Sequence, residues 1–414
     1  MRIDADRLWR RLEDLAAITD PDRPWTRRSF SPRFLAGRDW LAKAFADAGL
    51  TPGIDAGGNL IGRAAGSEPA LRPILTGSHS DTVPAGGRYD GVLGVLCALE
   101  VAQTLHEAGH TLRHPLEVID FLAEEPSEFG LSCIGSRALG GALDAADLDR
   151  QRPDGMTLAE GLRYVGGDPG AVFSAARGPD ATAAYLEVHI EQGRVLENAA
   201  IPVGIVTDIV GIRRESWTVT GRADHSGATP MDLRHDALVG ASEIIRAASE
   251  AARATLGQRQ PLVATIGHIE VSPNAANAVP GAVTMTLEIR SGDDAAVRRF
   301  GAGLMDRVRP GIEALRLNVT RREISHALPT PCAPMIREAI AASAGDLGLA
   351  SRDLPSGAGH DGVFVARTGP IGMIFVPCLD GRSHAPEESI TQEQARDGAQ
   401  LLLSTVLRLD RALD

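Results

Sequence analysis

Short strand-like runs alternate with a helical pattern between residues 74 and 207. Pro73–Ser78 and Leu116–Leu122 have the length and composition of buried strands, and Val92–Leu105 carries apolar residues at helical spacing. This helix is expected to stop at Gly109, because glycine commonly follows the last residue of a helix. The order of strand, helix and strand predicts βαβ units, and therefore a mainly parallel sheet that is covered by helices.

A different pattern occupies residues 208–325, where two long helical segments alternate with strands in the order β-α-β-β-α-β. The predicted elements are the strand Ser216–Gly221, the helix Arg234–Leu256, the strands Leu262–Val271 and Val283–Ile289, the helix Ala295–Val308 and the strand Leu315–Thr320. This order is typical of a split-βαβ, ferredoxin-like domain.

The first pattern then returns. Met335–Gly345 and Gln392–Leu407 are predicted helices, and Ile371–Val376 is a predicted strand. We therefore expect an α/β domain made of residues 1–207 and 326–414, with a smaller α+β domain inserted at residues 208–325. A chain of 414 residues is also longer than one compact core usually holds.

Composition excludes several classes of function. The net charge is −12, from 42 basic and 54 acidic residues, which argues against nucleic-acid binding because that needs a basic surface. No apolar run approaches membrane-helix length, and the N-terminus lacks the apolar core of a signal peptide. The chain has four cysteines, Cys97, Cys133, Cys332 and Cys378. They form no C-x-x-C pair, which favours a reducing compartment. We expect a cytoplasmic protein without membrane contact.

The chain contains a single lysine, Lys43. A Schiff-base lysine, a P-loop lysine or a carboxylated lysine between two metals would therefore have to be this residue. It lies in Arg38–Ala48, which has the pattern of an amphipathic surface helix. Lysine chemistry is therefore excluded.

The segment His106–His110 matches H-E-x-x-H, a zinc-protease signature. That motif requires both imidazoles on one face of a continuous helix. Gly109 interrupts the motif, so His110 is expected beyond the helix end, and a solvated helix terminus is the better interpretation.

Stronger candidates follow the predicted strands of the α/β domain. His79 and Asp81 come at the end of the first strand, where open α/β sheets place their ligand sites. Asp90 follows in a segment with glycines on both sides, which let the backbone approach an ion closely. Taken alone, Asp90 could equally cap the next helix.

Asp90 is not an isolated candidate, because other carboxylate and imidazole residues that could bind a metal lie at or after other strands. Glu124 and Glu125 end the strand Leu116–Leu122, while His189 and His384 lie in or after later strands. Three histidines, a glycine-flanked aspartate and a glutamate pair suit two divalent ions bridged by a carboxylate. With lysine excluded, Asp90 is the natural bridge.

In these segments the chain resembles the hydantoinase/carbamoylase family of di-metal amidohydrolases, within the wider aminopeptidase and carboxypeptidase G-like superfamily. That family includes N-carbamoyl-L-amino-acid hydrolases, β-ureidopropionases and allantoate amidohydrolases. The resemblance runs in order from about residue 57 to residue 390 and rests on the segments Gly77–Thr82, Gly86–Gly91, Ala123–Glu125, His189–Gly193, His225–Met231 and Ser383–Glu387. It implies a catalytic α/β domain with an inserted dimerisation domain.

The resemblance also implies a set of roles. One metal would be bound by His79, Asp90 and His189, and the other by Asp90, Glu125 and His384. Asp81 would hold the imidazole of His79 from behind. Glu124 would be the general base, and His225 would stabilise the oxyanion from the partner subunit of a homodimer. Zn²⁺, Mn²⁺, Co²⁺ or Ni²⁺ would suit these ligands.

The resemblance further implies contacts to a substrate carboxylate. Arg290 would bind it with its guanidinium fork, although this arginine could also merely end a strand. Asn277 would bind the same end of the substrate, and Gln192, Arg214 and Gly359 match further substrate contacts.

Some positions depart from the family pattern. Pro126 stands where glycine usually follows the glutamate pair, and Arg194 stands where proline is common. Ser226 replaces a frequent alanine, and Cys378–Ser383 differs from the usual approach to the last histidine. No departure removes a proposed ligand, but all affect loops that shape the substrate pocket.

The implied activity is cleavage of the carbamoyl C–N bond of an N-carbamoyl amino acid or related ureido acid, which releases ammonia and carbon dioxide. Allantoate is an alternative substrate. An N-acyl amino acid deacylase or peptidase would use the same metals with another pocket. A non-catalytic binding protein on this fold would be expected to have lost a ligand or the base, and this sequence has lost neither.

Overall fold

The computed structural model describes residues 1–413 and divides into two compact units. The first contains Met1–Thr207 and the chain from Pro331 onward, and the second contains Asp208–Thr330. The second unit thus extends slightly past the predicted boundary at residue 325. Among the described residues, no helix combines the length and apolar character needed to cross a membrane.

The first unit begins with two helices that precede its sheet. Its elements before the second unit are α1 (Ala5–Ala17), α2 (Pro32–Asp47), β1 (Thr51–Ile54), β2 (Leu60–Ala64), β3 (Ile74–His79), α3 (Val92–Glu107), β4 (Leu116–Phe121), α4 (Ile134–Leu139), α5 (Ala145–Leu148), α6 (Leu158–Tyr164), β5 (Ala184–Ile190), α7 (Val195–Ala199) and β6 (Val203–Ile209).

The second unit has two long helices and a set of strands. Its elements are β7 (Gly211–Thr220), β8 (Asp224–His225), α8 (Ala237–Arg253), β9 (Val263–Ser272), β10 (Ala278–Val279), β11 (Ala282–Ser291), α9 (Asp294–Ala314) and β12 (Asn318–Ala327).

The chain then completes the first unit. The remaining elements are β13 (Thr330–Pro331), α10 (Pro334–Asp346), β14 (Ser351–Ser356), α11 (Gly362–Val365), β15 (Ile371–Val376) and α12 (Gln392–Ala412), and short 3₁₀ turns lie at residues 231–233 and 379–381.

The large sheet has the strand order β1-β2-β4-β3-β5-β15-β6-β13, and β14 pairs with β6. The four central strands β4, β3, β5 and β15 are parallel, while β1, β2 and β6 pair antiparallel to their neighbours. The mainly parallel sheet predicted from the sequence is confirmed. Every residue of the four central strands is buried, which explains the continuous apolar sequence of β15. The other three strands also bury polar residues.

Helices α3 and α12 supply much of the first unit's core. Val92, Leu96 and Leu99 of α3 are fully buried, as are Leu402 and Val406 of α12. Helix α3 ends at Glu107, and Gly109 follows with φ +61°. The second histidine of the H-E-x-x-H segment therefore lies outside the helix, as predicted. Lys43 is exposed on α2.

The second unit has a four-stranded antiparallel sheet of order β12-β7-β11-β9. Strand β11 alternates between half-buried and buried residues. Its buried residues, together with Trp217, form one core with the apolar faces of α8 and α9. The other residues of β11, which include Glu288 and Arg290, lie on the opposite face because side chains alternate along a strand. The predicted β-α-β-β-α-β order is observed.

Candidate metal centre

The ligand types follow the carboxyl ends of the central parallel strands. His79 is the last residue of β3, and His189 lies one residue before the end of β5. Glu124 and Glu125 follow β4, and His384 follows β15. Because neighbouring parallel strands end at the same edge of a sheet, the fold brings these residues together.

Asp90 lies at the centre of two groups of possible metal ligands. His79, Asp90 and His189 form the first group, and Asp90, Glu125 and His384 form the second; within each group the ligand atoms lie within 4.8 Å of one another. One oxygen of Asp90, Oδ1, is 3.1 Å from His189 Nε2 and 3.8 Å from His79 Nε2. The other, Oδ2, is 3.2 Å from His384 Nε2.

The two buried histidines are oriented as metal ligands are. His79 Nδ1 lies 3.0 Å from the carbonyl oxygen of Asp81, and His189 Nδ1 lies 2.9 Å from that of Ile190. A carbonyl only accepts, so Nδ1 carries the proton and donates in both rings. Each ring therefore presents Nε2 toward Asp90, and such a backbone anchor is the usual partner of a ligating histidine.

The imidazole of His79 packs directly against Gly91. Gly91 has φ +67°, and a Cβ at this position would lie only 2.3 Å from His79 Nε2. Any other residue would thus displace the imidazole of a candidate ligand, which is the physical need for glycine next to Asp90. The donor set itself, imidazoles and carboxylates within 4.8 Å of one another, fits divalent cations.

The charge of the cluster supports the same conclusion. Burial alone would raise the pKa of Asp90, but the imidazoles of His189 and His384 outweigh burial and hold it well below its usual value. In the described part of the chain, the ion pairs of Asp90 are all with imidazoles. A buried carboxylate needs positive partners, and metal ions would provide them.

His384 differs from the other two histidines because its side chain is 51% exposed. It lies 3.3 Å from Glu125 Oε1, and the carboxylates of Asp90 and Glu125 raise its pKa to about 10. Its backbone is left-handed, with φ +55°, a strained conformation of the kind that clusters at functional sites.

Glu124 faces the cluster from the end of β4. Its Oε2 atom is 3.7 Å from His79 Nε2, and the thiol of Cys133 donates to its Oε1 atom over 3.6 Å. Burial raises the pKa of Glu124 well above its usual value; His79 opposes this shift, and the carboxylates of Glu125 and Asp361 add to it. A raised pKa suits a group that takes up and returns a proton.

Asp81 lies between His79 and the glutamate pair. Its backbone carbonyl holds His79, its Oδ1 atom is 3.5 Å from the same imidazole, and it accepts a hydrogen bond of 3.2 Å from the backbone N–H of Glu124. Asp81 therefore touches both a candidate ligand and the backbone of the candidate base.

Gln192 was expected to contact substrate, and the structure puts it against Asp90. Its amide donates to Asp90 Oδ2 over 2.8 Å and to Ser383 Oγ over 3.1 Å. The hydroxyl of Ser383 donates to the same Asp90 oxygen over 2.6 Å. These two side chains fix one oxygen of the shared carboxylate.

Sequence reasoning missed several buried polar residues at this site. The ring of His360 lies 4.6 Å from that of His189, and Ser136 donates to Asp361 over 2.5 Å. Glu187 accepts from Ser78 and Tyr185, and Glu388 accepts from two backbone amides beside Asp90. Only Glu187 had a readable signal: it stands two residues before His189 in an apolar strand, on the same face.

The remaining predicted residues of the first unit lie in its loops. Gly359 precedes His360 after β14, and a Cβ there would meet no atom within 4 Å. Two atypical segments contact each other, since Arg194 lies 3.3 Å from Asp380. The carbonyl of Pro126 accepts a 2.6 Å hydrogen bond from Arg28.

His225 and Asn277 are neighbours in the second unit. The backbone carbonyl of Asn277 accepts from the N–H of Ser226 over 3.1 Å, and strand β8, which contains His225, pairs with β10. The N–H groups of Gly227 and Ala228 both donate to His225 Nδ1 over 3.1 Å. The other ring nitrogen, Nε2, therefore carries the proton, and this exposed histidine is a hydrogen-bond donor there.

Arg214 and Arg290 are joined through Glu288 on the half-buried face of the same unit's sheet. Arg290 donates from Nε to one carboxylate oxygen over 2.8 Å, and Arg214 donates to the other over 2.7 Å. Burial would raise the pKa of Glu288, but the two guanidiniums outweigh burial and lower this pKa. The two arginines form a positively charged strip, and the carboxylate of Glu288 lies between them.

Comparison with known proteins gives consistent relatives. Residues 75–408 match Peptidase family M20/M25/M40. The chain is 40% identical over 408 residues to an N-carbamoyl-L-amino acid amidohydrolase of Geobacillus stearothermophilus, covering 98% of this chain and 99% of the relative. It is 31% identical to a ureidoglycolate hydrolase of Arabidopsis thaliana, covering 99% and 87%. A hydantoinase/carbamoylase family amidase from Burkholderia multivorans superposes with a TM-score of 0.90 at 35% identity, covering 99% and 98%.

Proposed function

The chain belongs to Peptidase family M20/M25/M40 and, within it, to the hydantoinase/carbamoylase amidases, and we propose that it hydrolyses the carbamoyl group of N-carbamoyl amino acids. It is a hydrolase of carbon–nitrogen bonds other than peptide bonds. Water cleaves the C–N bond to the amino acid nitrogen, and the carbamate fragment breaks down to ammonia and carbon dioxide.

One observation carries this proposal: two ligand groups share Asp90 beside a buried glutamate whose pKa is raised. His79 and His189 would hold one divalent ion together with Asp90, and Glu125 and His384 would hold a second. When bound, the two ions supply Lewis-acid polarisation and make a water molecule easier to deprotonate. The donors are imidazoles and carboxylates, which suit Zn²⁺, Mn²⁺, Co²⁺ or Ni²⁺.

Glu124 is the residue that moves the proton. Its carboxylate takes a proton from the attacking water and returns it to the amino acid nitrogen as that nitrogen leaves. Its buried position and the neighbouring carboxylates raise its pKa well above the usual value, which suits a group that both accepts and returns a proton. The thiol of Cys133 and the imidazole of His79 lie beside its two oxygens and orient it.

His225 stabilises the negative charge that develops on the carbamoyl oxygen. Two backbone N–H groups fix its Nδ1 atom, so Nε2–H points outward as a pre-oriented donor, and such donors stabilise an oxyanion strongly. We infer that the enzyme is a homodimer in which each His225 serves the metal centre of the partner subunit.

The substrate carboxylate binds to Arg290, with help from Arg214 and Asn277. A guanidinium fork matches a carboxylate in a bidentate way, and Glu288 holds both arginines in place. Gln192 and Gly359 complete the contacts at the metal centre. A carbamoyl compound without this carboxylate is expected to be a poor substrate.

Besides a second copy of the chain, the proposed partner of this enzyme is a small ureido acid with a carboxylate. No nucleic acid or membrane partner is proposed, given the net charge of −12. The four cysteines are buried and unpaired, which supports a cytoplasmic location.

A substrate panel tests the proposal. Metal-loaded protein is offered N-carbamoyl amino acids, allantoate, 3-ureidopropionate, N-acetyl amino acids and the amide of one N-carbamoyl amino acid. We expect ammonia from an N-carbamoyl amino acid and at least a tenfold lower kcat/KM for its amide. No ammonia from any ureido acid would refute the proposal. Acetate release without ammonia would identify a deacylase instead.

A further inference from the structure

Glu388 lies next to the proposed metal centre without belonging to either ligand group. It is 1% exposed, four residues after His384. Its Oε1 atom accepts hydrogen bonds from the backbone N–H groups of Tyr89, over 2.8 Å, and Asp90, over 3.0 Å. One carboxylate oxygen therefore holds the backbone from which the shared ligand projects.

The same short segment holds the other end of Asp90. The hydroxyl of Ser383 donates to Asp90 Oδ2 over 2.6 Å, and His384 lies 3.2 Å from that oxygen. Residues 383–388 thus contact Asp90 at its backbone and at its carboxylate. This connects the loop after β15 to the loop before α3.

The space for Glu388 depends on Gly87. A Cβ at residue 87 would lie 1.9 Å from the carboxylate carbon of Glu388 and 2.0 Å from each oxygen. The atoms that such a Cβ would meet nearest all belong to Glu388. Glycine at this position therefore leaves the gap that the carboxylate fills.

We propose that Glu388 is a positioning residue that fixes Asp90 for binding both metal ions. The inference rests on the proposed metal centre. Because Asp90 is shared, a shift of its backbone would change the geometry of both ion sites at once. Substitution of a residue that orients a ligand in this way typically lowers metal affinity by about 10- to 100-fold.

Two physical effects of Glu388 can be separated. Its negative charge would attract cations wherever it stood nearby, whereas its contact with two amides requires an oxygen in one place. Glu388→Gln keeps an acceptor oxygen and the shape but removes the charge, and Glu388→Ala removes both. The neighbouring Glu387→Ala is a matched control, since Glu387 is exposed and pairs loosely with Arg382 at 3.6 Å.

Equilibrium dialysis of the metal-free proteins against Mn²⁺ measures the effect without any activity assay. We expect Glu388→Ala to bind Mn²⁺ about 10- to 100-fold more weakly than wild type, and Glu387→Ala to bind it as wild type does. Glu388→Gln should stay within a few-fold of wild type. Equal affinities of wild type and Glu388→Ala would overturn the proposal, as would equal losses in Glu388→Ala and Glu388→Gln.

Gly87→Ala gives a second route that leaves Glu388 itself unchanged. The added Cβ displaces the carboxylate, so this variant should also lose Mn²⁺ affinity. When residue 388 is already alanine, adding Gly87→Ala should lower the Mn²⁺ affinity little further, because the carboxylate atoms that the new Cβ would meet are absent. Additive losses would contradict the proposal. If Glu388→Ala does not fold, Gly87→Ala and Glu388→Gln still decide it, with the unfolding temperature of each metal-free variant as a check.

Failure of this inference is distinguishable from failure of the proposed function. Wild-type protein that binds no Mn²⁺, Zn²⁺ or Co²⁺ would refute the metal centre itself. Wild-type protein that binds metal and releases ammonia, while Glu388→Ala binds metal equally well, would refute only the role of Glu388.

Discussion

Asp90 is a buried carboxylate that is kept charged by imidazoles. Burial disfavours a charged group, and the imidazoles of His189 and His384 overcome this, so the pKa of Asp90 stays low. Its carboxylate is further fixed by Ser383 and Gln192. A residue with this many partners has little freedom to move, and such pre-organisation lets a site bind metal ions with one geometry.

Substitution of the proposed base separates proton transfer from metal binding. Glu124→Gln keeps the size of the side chain but cannot accept a proton. We expect it to bind metal as wild type does and to lose about 10²- to 10⁴-fold in kcat, the usual contribution of a general base. Metal content and steady-state ammonia release measure the two quantities. An active Glu124→Gln enzyme would show that another group takes the proton.

At the scale of elements, the central strands were the most predictable part of the fold. Strand β15 has the predicted bounds, because a run that is buried on both faces is continuously apolar. The edge strand β1 and its neighbour β2 were not predicted, since they contain Pro52, Gly53 and Arg63. Strand β12 was predicted at Leu315–Thr320 and lies at Asn318–Ala327. The prediction ended too early because the segment 321–326 of this sheet-edge strand is mostly polar and exposed.

A glycine in β3 is needed for the packing of the sheet. Gly77 has φ +150°, and a Cβ there would lie 1.9 Å from the carbonyl oxygen of Ile119 in the paired strand β4. Gly77→Ala should therefore lower the free energy of unfolding by roughly 3 kcal/mol or more. Gly303→Ala in α9 is the control, because a Cβ there meets no atom within 4 Å; it should be neutral or stabilise by about 0.5–1 kcal/mol. Denaturant unfolding measures both, and an equal effect at both sites would contradict this packing.

Metal binding should release a proton from His384. The pKa of His384 is raised to about 10 by Asp90 and Glu125, so this imidazole carries a proton at pH 7–8 in the metal-free protein. An ion binds only the unprotonated ring, so binding must displace that proton, and the apparent affinity should fall as the pH falls. Calorimetry at pH 7.5 in buffers of different ionisation enthalpy should give at least one proton per two ions bound. No buffer dependence would contradict this account of His384.

At the scale of the whole molecule, local sequence patterns predicted the candidate site residues that lie at or after a strand or turn. They did not predict the buried polar residues that tertiary packing brings to the same site. His79, Asp90 and Glu125 could be predicted because each follows a recognisable strand or glycine-rich turn. Glu388 and Asp361 are buried only because distant loops pack there, and nothing in their neighbours along the chain reports this burial. The sequence also contains no signal for the pairing of Arg194 with Asp380, which joins two segments far apart in the chain.

Mixed dimers test whether His225 acts across subunits. Glu124→Gln and His225→Ala are each expected to be nearly inactive, for different reasons. If His225 serves the partner's metal centre, a mixed dimer has one centre with both groups intact. An equal mixture after subunit exchange should then recover about a quarter of wild-type activity, since half of the dimers are mixed and each has one working centre. No recovery, with exchange verified by differently tagged subunits, would place His225 and Glu124 of one active site in the same subunit.

The most direct test of the central claim follows the carbamoyl carbon itself. An N-carbamoyl amino acid labelled with ¹³C at the carbamoyl carbon is incubated with metal-loaded protein and observed by NMR. We predict that the label moves to bicarbonate, with one ammonia released for each amino acid formed, and that neither appears with metal-stripped protein until metal is restored. A carbamoyl signal that stays unchanged with every metal, while an N-acyl amino acid is cleaved, would contradict the proposed function.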